Sequence, residues 1–343
     1  MTSFERTLAA ISHSEPDRVP LFLLLSLYGA KELQIPIRKY FSNPENIVNA
    51  QLKMRKKYKN DCIYTFFYAP IEIEAFGGEV IFVDDGPPNS GEPFIQFVKQ
   101  ISKIKVPNIN ESKCLKRVLD ATEMIKKEVG NETPIIGVVM SPFSLPVMQM
   151  GFEKYLDLLY FKKDDFDQLM QINEEFCVAW ANAQLKAGAT AICYFDPLAS
   201  PNMIERELYL KTGYRIAKRT LSRIKGPTAT HLASGIALPV IDDIISTGSA
   251  VLGFSANDNL EEIKKAARNK ICLLGNFNAV EMVNWNPKKI EDEVKDIIAQ
   301  AGSGGGLILS DNHGEIPFQV PEDVLLEISE AVLRFGSYPI KRV

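Results

Sequence analysis

Two stretches of this sequence join a short apolar run to side chains able to move protons or bind ligands. Thr228-Ala229-Thr230-His231-Leu232-Ala233 delivers an imidazole, and Leu307-Ile308-Leu309-Ser310-Asp311-Asn312-His313-Gly314 delivers a carboxylate, an amide and a second imidazole. Together they hold two of the three histidines in the chain. A third run, Cys193-Tyr194-Phe195-Asp196-Pro197, ends on another acid. Apolar strands ending this way place their polar groups at the rim of a parallel sheet, where α/β folds do chemistry. His231, His313, Asp196 and Asp311 are therefore the candidate catalytic residues, as imidazoles and tuned carboxyls are the usual proton carriers. Each has a plainer reading beside it. His231 also fits a buried ring satisfied by one backbone hydrogen bond, and Asp196 also fits a helix N-cap. With Asp196 or Asp311, the two histidines make an N/O donor set of the kind zinc accepts, so His231 and His313 are the candidate metal ligands.

The remaining strand ends supply candidate substrate contacts: Ser26, Tyr28, Phe67, Tyr68, Met140, Tyr194, Asn276 and Asn312. Tyr28, Phe67 and Tyr68 are also suited to caging a cation against their ring faces.

These groups share a rim only if a particular set of elements positions them. Short runs rich in aliphatic and β-branched residues recur at 19–26, 61–67, 134–140, 190–196, 228–234, 250–256, 270–276 and 306–312. Most are apolar on both faces, as strands covered on both sides must be. Helical patterns separate them at 43–57, 112–129, 164–186, 203–223, 237–247, 260–267 and 288–300. Alternation repeated eight times predicts an α/β fold, a single (β/α)8 TIM barrel. Between the second and third strands, 78–83 and 94–98 flank a Gly/Pro-rich loop at 85–91, which predicts a β-hairpin insertion. With no linker composition anywhere, residues 1–343 are expected to form one domain. Gly302-Ser303-Gly304-Gly305-Gly306 precedes its strand, so it reads as a helix-to-strand turn and not as a phosphate cradle.

Composition narrows the function classes. A net charge of −4 leaves no basic footprint for nucleic acid. Five scattered cysteines without a Cys-x-x-Cys pair argue against a disulfide framework or a thiolate zinc knuckle. No apolar run reaches the roughly 20 residues needed to span a bilayer, and the first residues begin a helical pattern without a signal-peptide core. The expectation is a cytoplasmic protein with no membrane partner.

The ordered series Asp17-Arg18-Val19-Pro20, Gly137-Val138-Val139-Met140-Ser141-Pro142-Phe143, Phe195-Asp196-Pro197-Leu198-Ala199-Ser200, Thr230-His231-Leu232-Ala233, Leu274-Gly275-Asn276 and Ser310-Asp311-Asn312-His313-Gly314 resembles the uroporphyrinogen decarboxylase superfamily over nearly the whole chain. The resemblance implies a (β/α)8 barrel. The decarboxylases carry an arginine-containing segment after Asp-Arg-Val-Pro that helps grip a polycarboxylate; here 21–29 holds no arginine. The chain looks more like the corrinoid-dependent methyltransferase branch. The thiol-methylating members of that branch hold zinc with His-x-Cys and a later Cys-Gly, whereas the matching positions here are His231, Ala233 and His313-Gly314.

What the resemblance then implies is demethylation of a small donor, a methoxylated aromatic ahead of a methylamine. The methyl would pass to cob(I)alamin carried on a separate corrinoid protein, with zinc a possible further cofactor. Two alternatives remain: uroporphyrinogen decarboxylation, and methylcobalamin-dependent methylation of a small acceptor. Related barrels pair as dimers, so a homodimer is a possible assembly.

Overall fold

The computed structural model describes residues 1–267 and 269–340. Its main sheet has seven parallel strands: β1 (Ile63–Tyr64), β4 (Ile135–Met140), β5 (Ala191–Phe195), β6 (Thr228–His231), β7 (Val251–Gly253), β8 (Cys272–Phe277) and β9 (Leu307–Asp311). They lie side by side in chain order, each parallel to the next. Helices follow the strands and cover the outer face.

The first expected strand, 19–26, is corrected to an irregular segment that makes one parallel bridge, Leu21 to Leu309. On its β9 side, Phe22 N–H donates to Leu309 O at 2.8 Å and Leu309 N–H donates to Pro20 O at 2.9 Å. On the other side, Asp61 N–H donates to Leu21 O, while Leu21 and Leu23 donate to the side chains of Asp61 and Asn60. Proline has no N–H to give, and side chains replace backbone partners ahead of β1, so no regular ladder forms. Even so, this segment hydrogen-bonds to β9 and to the residues entering β1, the two edges of the curled sheet.

Strand alternation sorts the side chains into two layers. Phe22, Leu24, Tyr64, Val138, Cys193, Cys272, Leu274 and Ile308 cluster inside the curl. Leu21, Leu23, Ile63, Val139, Ile192, Tyr194, Leu273 and Leu309 pack outward in the larger core shared with the helices. All five cysteines are buried and free.

Two further expectations are corrected. The insertion forms a two-stranded antiparallel ribbon, but its strands are β2 (Val80–Ile81) and β3 (Asn89–Ser90), and 94–98 leads into the 3-10 turn Val98–Lys103. The helix expected over 203–223 is broken into Arg206–Lys211 and Gly213–Leu221, because Thr212 leaves helical geometry between them. Gly213 lies so close to Phe143 that any Cβ there would clash with its ring. The turn at Gly302–Gly306 is as expected, with positive φ at Gly304, Gly305 and Gly306.

At the N-terminal end of the curl, the helix Ser3–Ile11 is tied down by charge. Asp61, buried, accepts from Ser3, Arg6, Arg18 and the Leu21 backbone. Asp17 pairs with Arg6 at 2.6 Å, and that hydrogen bond holds its carboxyl down at about 2. The Asp-Arg-Val-Pro motif is thus an anchor for this end of the molecule.

Candidate active site

His231 ends β6 and is fully buried. Its Nδ1 accepts the Ala233 N–H at 3.0 Å, a contact that the left-handed φ of +53° at Ala233 makes possible. An accepting Nδ1 carries no proton, so in the neutral ring the proton sits on Nε2. That Nε2 has no partner. Burial is the main cause holding the imidazole neutral, down to about 3, and neighbouring His313 adds to it.

The ring is clamped on several sides. Phe195 from β5 stacks on it with centroids 5.0 Å apart and planes 10° from parallel. A Cβ at Gly253 on β7 would fall inside contact distance of its Cδ2, and a Cβ at Gly314 would strike Phe195. Both glycines are therefore required by close approach.

The loop after β9 crosses above this ring. His313 is exposed, and its Nδ1 shares a 2.6 Å hydrogen bond with Ser234 Oγ from the loop after β6. Tyr64 from β1 donates to Gly314 O at 3.0 Å, and Ile316 N–H donates to Leu24 O. The structure thus brings His231 and His313 to one mouth, with the second imidazole in the cover over the first.

Asp311 organises that cover. It accepts from the N–H groups of His313, Gly314 and Leu24, and burial raises its carboxyl to about 6. Glu315, not among the sequence candidates, accepts the Leu27 N–H and is raised to about 7, mainly by burial. An acid directly after Asp-Asn-His-Gly was the available signal for it.

Asp196 belongs to a different neighbourhood. Phe195 faces His231, so Asp196, one residue on, lies toward the helix layer. Its Oδ1 accepts from Ser141 and Ser144 at 2.6 Å each, while buried Oδ2 has no partner. Burial raises it to about 6 against those two hydroxyls.

The other candidates divide the same way. Tyr28 donates to Val320 O and Ser26 to the Phe66 and Phe67 carbonyls. Phe67 and Tyr68 pack on Phe41, and Tyr68 also donates to Glu74. These aromatics are core residues here and form no open cage. Tyr194 is buried in the outer layer, and the Met140 N–H donates to Glu72. Asn276 donates to Ser255 O, and Asn312 accepts the Ala279 N–H. The aromatic that stacks on His231 is instead Phe195, and Phe22, Tyr64 and Phe66 belong to the same inner cluster; none of these was a candidate from the sequence.

A zinc centre does not fit these residues. No group of three or more His, Cys, Asp or Glu side chains is arranged to hold a metal among the described residues. Two imidazoles alone leave a tetrahedral ion short of protein ligands.

A curled parallel sheet with its polar groups at the strand C-termini defines an α/β protein of the TIM-barrel-like class. The profile of the family described as uroporphyrinogen decarboxylase (URO-D) matches residues 2–335, so the chain belongs to that family. A uroporphyrinogen decarboxylase of Xylella fastidiosa is 26% identical over 98% of this chain and 99% of its own length. One from Legionella pneumophila is 28% identical over 84% and 83%. Among solved structures, a methyltransferase from Methanosarcina mazei shares the fold with a TM-score of 0.86 at 21% identity, covering 98% of this chain and 99% of that one. A putative vitamin-B12 independent methionine synthase from Listeria monocytogenes aligns at 0.54 and 14% identity, covering 93% and 95%. No helix among the described residues is long and apolar enough to cross a membrane.

Proposed function

We propose that this chain is a corrinoid-protein-dependent methyltransferase that demethylates a small methylated-oxygen donor at the strand C-termini of a (β/α)8 barrel. The observation carrying the reading is the unpartnered Nε2–H of His231, a neutral donor held in an apolar, aromatic-walled interior. Cob(I)alamin on a separate carrier is the methyl acceptor and supplies the nucleophile. As the donor C–O bond breaks, its electron pair stays on oxygen, and a preorganised N–H at that oxygen stabilises the developing charge. A neutral imidazole gives a hydrogen bond without giving up its proton, as in other enzymes that use neutral histidine as an electrophile. A methylamine needs no such donor, and the expected cation cage lies in the core. Methylated oxygen is therefore favoured.

The loop carrying His313 and Gly314 covers His231, so it must move for a corrinoid face to approach. The chain's place in the family and the names of its curated relatives favour a second reading, decarboxylation of uroporphyrinogen. Against it, no arginine or lysine lies in 21–29, and the interior cluster is uncharged.

The test is purified protein with cob(I)alamin and a panel of methoxylated aromatics and methylamines, followed by the visible spectrum of methylcobalamin. Conversion with methoxy donors is expected, and His231→Ala should slow it by about 10²- to 10³-fold with the fold intact by circular dichroism. No conversion with any donor, together with carbon dioxide release from uroporphyrinogen, would reverse the reading.

A further inference from the structure

The interior of the curl is not filled. Inward positions that a barrel normally packs with bulky branched residues hold Ala191, Cys193, Ala229 and Ala250 instead. They leave a cavity of about 180 Å³ between the helix Ser3–Ile11 and His231. No charged side chain lines it, and its walls are almost wholly apolar. Three of the hydroxyls at its edge are engaged, Thr7 with Cys62 Sγ, Thr190 with the Ile135 N–H and Tyr64 with Gly314 O. Among the lining side chains, the fully buried polar atom without a partner is His231 Nε2. Apolar voids of roughly 150 Å³ stay dry and take up benzene or xenon.

We propose that this chamber, on the N-terminal side of His231, seats a single neutral aromatic ring that presents one acceptor oxygen to Nε2–H. That the oxygen is a methoxy oxygen rests on the methyl-transfer reading; the preference for an uncharged ring does not. A carboxylate on the ring would lose its hydration with no cation to meet it, so charged methoxybenzoates are excluded from the chamber. The specificity is for a compact neutral aryl ether.

Binding can be read without any corrinoid. Calorimetry on the purified chain with anisole, toluene and 4-methoxybenzoate is expected to show anisole binding, toluene about tenfold more weakly for want of the acceptor, and no chamber binding of the benzoate. Ala250→Leu fills the void and should abolish anisole binding; xenon density in crystals of the unmodified protein reports the same void if that variant misfolds. No anisole binding and no xenon density would overturn the proposal, as would anisole affinity unchanged in a folded Ala250→Leu. Anisole binding lost in Ala250→Leu, without methyl transfer from any donor, would support the chamber while removing the methyl-transfer reading. Methyl transfer from anisole with unchanged KM in Ala250→Leu would do the reverse.

Discussion

The two ends of the curled sheet treat charge in opposite ways. At the N-terminal end, Asp17 and Asp61 meet Arg6 and Arg18, and the pairing pulls Asp17 down to about 2. At the C-terminal end, burial pushes Asp196 and Asp311 up to about 6, while His231 is held neutral. One end joins charges to fasten a helix. The other keeps groups close to neutral pH or uncharged, at a cost in stability, which is where a TIM-barrel-like fold keeps its chemistry.

The contrast can be broken most severely at Asp61. Asp61→Ala strands two partly buried guanidiniums and the Leu21 N–H, so urea unfolding should show a loss of about 3–5 kcal/mol.

Asp196→Asn sharpens the opposite end. A carboxyl raised in the folded state favours the protonated form, so its stabilisation is complete below about pH 4 and lost as pH rises to about 6. The stability difference between the two proteins should move toward the variant by up to about 3 kcal/mol between pH 4 and 7.

Asp17→Asn should show the reverse sign and a smaller size. A lowered carboxyl stabilises above its unfolded value and loses that as pH falls from about 4 to about 2. Because Asp17 is 40% exposed, screening limits the effect to about 1 kcal/mol.

Ser234→Ala should change least. Losing the hydrogen bond to His313 leaves global stability within about 1 kcal/mol but should raise amide exchange at Gly314 and Ile316 by up to about fivefold.

Much of the architecture was legible because seven of the eight apolar runs coincide with strands. Of the candidate positions, His231, His313 and Asp311 meet at one mouth, whereas Phe67 and Tyr194 lie on the other face of their strands. Strands apolar on both faces give no alternation to say which residues point inward. Taking Phe67 and Tyr194 instead of Phe66 and Phe195 shifted each choice by one residue, and a one-residue shift moves a side chain to the other face. The first strand failed for a local reason: a leucine run does not reveal that its partners will be the side chains of Asn60 and Asp61.

The glycines at 253 and 314 carry a last consequence. Gly253 admits the His231 ring and Gly314 the Phe195 ring stacked on it, each where no Cβ fits, so the imidazole's orientation is fixed during folding, before any ligand arrives. Side-chain ordering then contributes almost nothing to the entropy of association, so calorimetry at the chamber should show binding led by enthalpy. A side chain at Gly253 would displace the imidazole from this orientation, and the same contact would then begin with an entropic penalty.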